Sequence, residues 1–72
     1  NTHMKIINLE LIDTFTLSLE DVDGHGLSQR DRKDYAFQQC VSQVMKDDYC
    51  DYAQAYKIVE DSLTYLQVDY TS

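Results

Sequence analysis

Between Tyr35 and Met45 apolar side chains return in steps of three and four: Tyr35 or Ala36, Phe37, Cys40, Val41, Val44 and Met45. Spacing of that kind has one natural backbone, an α-helix with a single face turned to a core. Ser28 with Asp31 three residues on supplies the start, since a serine oxygen there can accept the free N–H groups of a first turn. Together they predict a helix over about 28–46. A second stripe, Tyr52, Ala55, Tyr56, Val59, Leu63, Leu66 and Tyr70, predicts another over about 51–69, capped by Asp51 or Asp48. The join between them, "KDDYCD", is short, so the two helices must pack antiparallel.

The stretch before the only glycines, "KIINLELIDTFTLSLE", reads differently. Ile7, Leu9 and Leu11 share a parity that Phe15, Leu17 and Leu19 continue, with a break at Ile12-Asp13-Thr14. Threonine, phenylalanine and isoleucine at period two predict strand, and the break predicts a hairpin turning near Asp13-Thr14. The expected fold is therefore α+β: a two-layer ββαα domain whose N-terminal hairpin packs on the antiparallel helix pair. The alternatives are one long bent strand, or an amphipathic helix over Leu9 to Leu19, which would make the chain an all-α three-helix protein.

With 72 residues, eight aromatics, no proline and two glycines, the composition is that of one folded domain with a small core. Asn1-Thr2-His3 before Met4 read as an expression-tag remnant, leaving residues 4–72 as the domain. No apolar run approaches a signal or membrane-spanning length, and the expectation is a soluble, cytoplasmic protein. Two cysteines, Cys40 and Cys50, are too few for a disulfide-built secreted domain and are read as reduced thiols. Cys40, on the first helical stripe, is read as core filler.

Charge is the strongest global signal. Thirteen acidic residues face six basic ones, for a net charge of −7. Residues 1–26 carry −4, residues 27–46 carry +2 and residues 47–72 carry −5. An acidic surface repels phosphate backbones and anionic membranes, so neither direct nucleic-acid binding nor membrane binding is expected; a protein partner with a basic surface is.

Few motifs carry chemistry. "DVDGHGLSQRD" resembles the opening of a helix-loop-helix calcium loop, where alternate carboxylates converge on a hard cation. Asp21, Asp23 and Asp31 would be the ligands. The register then slips: Leu27 comes one position early and Arg32 stands where the twelfth-position carboxylate belongs. A polar turn ending in a helix cap is the preferred reading, and no metal or cofactor is expected. His25, Cys40 and Cys50 lack the paired spacing of a zinc site. Cys40 on an apolar stripe is a poor setting for a thiolate nucleophile. A non-enzymatic protein is expected.

Two surface patches remain. Arg30, Arg32 and Lys33 cluster at the start of the first predicted helix, where they could meet an acidic patch on a second copy in a homodimer. Asp47, Asp48, Tyr49, Asp51, Glu60, Asp61 and Tyr65 form an acidic and aromatic set with Tyr49 outside either stripe. Tyrosine offers amphipathic contact area at low entropy cost, which suits it to interfaces. The leading expectation is a small acidic protein–protein interaction module that binds a basic partner surface. One version is an inhibitor that imitates nucleic acid, since small phage-encoded inhibitors share this size and charge. The alternatives are a self-associating assembly component and a divalent-cation-binding module.

Overall fold

Three helices lie among residues 6–71, which are the residues the computed structural model describes: α1 Leu11–Asp21, α2 Gln29–Asp48 and α3 Tyr52–Tyr65. The reading of residues 1–3 falls outside that range. The expected α+β fold with an N-terminal hairpin is corrected: α1 replaces both strands, no strand occurs among the described residues, and the all-α three-helix alternative fits. The physical reason is a shared spacing. Leu11, Phe15 and Leu19 stand four apart, and a step of four satisfies period two and period 3.6 equally. Leu9 and Leu17 decide between them. A sheet would have buried both, but they are 59% and 60% exposed. The buried residues of α1 are Leu11, Phe15 and Ser18, a helical stripe that passes through a serine and so hides from a count of apolar positions. Thr14 and Thr16 weaken the helix slightly. Burying Leu11 and Phe15 outweighs that, at about 1.5–3 kcal/mol each, whereas a lone two-stranded hairpin is marginal.

Each helix has an identifiable stop or start. Asn8 opens α1: its side-chain oxygen accepts the Glu10 N–H at 3.0 Å, and its carbonyl accepts the Leu11 N–H at 3.2 Å. Ser28 caps α2 in extended backbone, its hydroxyl accepting the Asp31 N–H at 3.1 Å. Asp51 caps α3 the same way, accepting the Gln54 N–H at 2.8 Å. The end of α3 is set by Gln67 in left-handed backbone, φ 60°. Val68 N–H returns to Leu63 C=O at 2.9 Å and Gln67 N–H to Thr64 C=O at 3.1 Å, the paired bonds of a Schellman turn. This stops α3 at Tyr65 rather than at 69 and turns the tail back over α2.

The contacts fix the directions. Near the C-terminal end of α1, Leu19 C=O accepts from the Arg32 guanidinium at 3.1 Å; at its N-terminal end, Leu11 C=O accepts from the Cys40 thiol at 3.8 Å. α1 and α2 are therefore antiparallel. Past the end of α3, Asp69 pairs with Lys33 near the start of α2 at 3.1 Å, so α3 runs back along α2 as well. One core joins all three: Leu11 and Phe15; Ala36, Phe37, Cys40, Val41 and Val44; Ala55, Ile58, Val59 and Leu63. Buried Ser62 is satisfied by the Asn8 N–H at 2.8 Å, which ties the entry of α1 to α3. No helix among the described residues is long and apolar enough to cross a membrane.

Candidate functional site

Three residues, Tyr49, Cys50 and Asp51, join α2 to α3 and form one end of the molecule. Each flanking contact holds them in place. The half-buried Cys50 thiol donates to Val44 C=O at 3.9 Å, Asp51 is committed to its cap, and Asp47 accepts the Gln43 side-chain N–H at 2.7 Å. Asp48 is exposed in the last turn of α2. Tyr49 stands apart on two counts. Its backbone is left-handed, φ 53° and ψ 42°, a position where helices usually place glycine because a Cβ costs about 1–2 kcal/mol there. Its side chain is 94% exposed, so the ring recovers nothing by packing.

The other acidic and aromatic residues named from the sequence do not join this tip. Tyr65 closes α3 at the far end, about 20 Å from Asp51 at the helical rise of 1.5 Å per residue. It is 67% exposed. Glu60 and Asp61 lie between, and Asp61 is half-buried against Lys57 at 3.4 Å. The structure therefore brings together Asp47, Asp48, Tyr49 and Asp51 and leaves Glu60, Asp61 and Tyr65 elsewhere.

Of the basic cluster, two members serve the fold. Arg32 donates to Leu19 C=O, a carbonyl of the last turn of α1 where a cation is favoured, and lies 3.7 Å from Asp23. Lys33, 12% exposed in its side chain, binds Asp69 at 3.1 Å and Thr71 C=O at 2.9 Å. Arg30 makes no ion pair among the described residues. Asp21, Asp23 and Asp31 are exposed and separate: Asp23 is drawn to Arg32, and no group of three or more His, Cys, Asp or Glu side chains placed to hold a metal ion occurs among the described residues. Cys40 is fully buried, and desolvation pushes its thiol up to about 12 from an ordinary 9.0, which keeps it protonated.

One feature has no counterpart in the sequence reading. Where the tail folds back, Tyr70 comes to 5.3 Å from Phe37, which also meets Tyr56 at 4.9 Å, ring centre to ring centre. Tyr52 extends the cluster, 5.9 Å from Tyr56, with its hydroxyl donating to Gln38 at 3.3 Å. Phe37, Tyr56 and Tyr70, but not Tyr52, line an open groove of about 460 Å³ that Arg30, Asp31 and Asp34 also border. The four-residue step from Tyr52 to Tyr56 was the available signal; the return of Tyr70 was not. No family model, curated protein or solved structure matches this chain.

Proposed function

We propose that this chain is a non-enzymatic protein–protein interaction module that grips a basic partner surface with the α2–α3 tip. One observation carries the reading: Tyr49 is an aromatic residue in glycine-favouring backbone with its ring in water. Glycine or asparagine is the usual choice there, and Gln67 is the other exception among the described residues; Tyr49 differs from it in exposing a large aromatic ring. Strain kept at an exposed position points to use of that position, and a rigid tyrosine is a common anchor at interfaces. Asp47, Asp48 and Asp51 surround it with negative charge, and residues 47–72 as a whole carry −5. A field of that sign steers a cationic surface toward the tip and raises the association rate.

Among basic protein surfaces, those that bind nucleic acid are the ones an acidic protein of this size would compete for most directly. Self-association has less to draw on, because Arg32 and Lys33 are already held by Leu19, Asp23, Asp69 and Thr71. The test is capture of partner from host extract by the chain and by the triple variant D47N/D48N/D51N, across a salt series. The asparagines retain the α3 cap, since asparagine caps as well as aspartate. Retention should fall steeply with salt for the parent and be roughly tenfold weaker for the variant, as expected for the loss of charge-assisted contacts. The captured protein should also lose bound nucleic acid as the chain is added. Retention that ignores both salt and the three substitutions would refute the proposal.

A further inference from the structure

We infer that the groove between α2, α3 and the returning tail is a seat for an arginine side chain presented by a partner protein. Its floor is the buried ring of Phe37, and Tyr56 and Tyr70 form its walls. The Tyr70 wall is held from two sides: its hydroxyl lies 3.5 Å from that of Thr64, and Lys33 binds the residues on either side of it. The Tyr56 wall packs on Phe37 and Tyr52. On the rim, Asp31 and Asp34 stand three residues apart on one helix, a spacing that puts them on the same face. Among the described residues neither carboxylate takes part in an ion pair or accepts a hydrogen bond, although Arg30 lies on the same rim.

Charge selects the occupant. Two carboxylates against one guanidinium leave the rim net negative; Lys33 is not part of the lining, and its charge is taken up by Asp69 and the Thr71 carbonyl. An anion would therefore be opposed. An apolar occupant would strip water from both carboxylates without replacing their hydrogen bonds, which is costly. A guanidinium meets both demands at once. It is flat, stacks on aromatic faces, and donates along its edge to carboxylates in pairs. A lysine ammonium can approach the rings but lacks the planar edge. At about 460 Å³ the groove admits the stem along with the head group.

The groove is distinct from the tip. Asp34 and Asp48 stand fourteen positions apart on α2, about 20 Å along its axis. The inference therefore does not depend on Tyr49, and the two fail separately. The test is an amide NMR titration of the full chain with acetylated, amidated Ala-Arg-Ala, Ala-Lys-Ala and Ala-citrulline-Ala. The arginine peptide should give saturable shifts at Asp34, Phe37, Tyr56 and Tyr70, leave Tyr49 unmoved, and bind more tightly than the lysine peptide. Citrulline keeps the shape without the charge and should bind roughly tenfold more weakly, as should the arginine peptide to D31N/D34N. Tyr56→Leu keeps both carboxylates, removes a π face, and should weaken arginine selectively over lysine. Equal binding of arginine and citrulline, undiminished binding to D31N/D34N, or shifts scattered over the acidic surface would each overturn the inference.

Discussion

Tyr49 and Cys40 are the two residues whose chemistry is furthest from what their neighbours would dictate. Cys40 sits where a small apolar residue would serve, and burial moves its titration up to about 12. Because the folded-state pKa lies above the unfolded one, the contribution of this thiol is fully present below pH 9.0 and fades as pH rises toward 12. Cys50 is only half-buried at the tip. A thiol reagent at pH 8 should therefore modify Cys50 in the native protein and reach Cys40 only when the chain unfolds. Equal rates at both sulfurs without denaturant would show that the core opens as freely as the tip. Tyr49 carries the opposite lesson, since nothing around it benefits from its presence. Its position off both apolar stripes was legible in the sequence; the left-handed backbone that makes it costly was not, because φ at a helix end depends on how the next helix departs.

At the scale of elements, α2 and α3 were legible because periodicity and caps agreed, with Ser28 and Asp51 each found accepting a first-turn N–H. α1 was misread because the residues that packed best, Leu11 and Phe15, fit strand and helix alike, and the residue completing the stripe was Ser18. The end of α3 was overrun because a glutamine in left-handed backbone gives no sign of itself. That turn sends the tail over α2, where the hydrogen bond and then the charge of Lys33 hold Asp69 below its ordinary 3.8. A depressed carboxylate stabilises above its unfolded pKa and loses that effect as pH falls through the folded value. The Asp69 carboxylate should thus stay ionised and paired with Lys33 at pH 4 and lose that pairing only in stronger acid, while the Lys33 bond to Thr71 C=O and the packing of Tyr70 on Phe37 persist. The Asp69 carboxyl signal followed by NMR against pH should show this, with its midpoint moving up in Lys33→Met. An Asp69 midpoint in the parent that is no lower than in Lys33→Met would contradict the pairing.

For the molecule as a whole, apolar stripes and caps place the helices, and a few charges, Arg32, Lys33 and Asp69 among them, tie their ends together. Most of the acidic excess behind the −7 net charge takes no part in those ties. The groove shows why part of the surface escaped sequence reading: Phe37, Tyr56 and Tyr70 belong to three separate segments, and only the completed fold puts them in contact. The tip escaped less, since Asp47, Asp48, Tyr49 and Asp51 are neighbours in the chain. The use proposed for it requires a trade of stability for recognition at Tyr49, which a single pair of proteins can expose. Denaturant unfolding and capture of partner should be measured side by side for the parent and for Tyr49→Gly, with Tyr49→Phe as the ring-retaining control. Relief of left-handed strain, less the flexibility glycine adds to the unfolded chain, should leave Tyr49→Gly about 0.5–1 kcal/mol more stable. The same variant should lose most partner retention while Tyr49→Phe keeps it. A Tyr49→Gly protein that is less stable, or that still holds its partner as the parent does, would contradict the account.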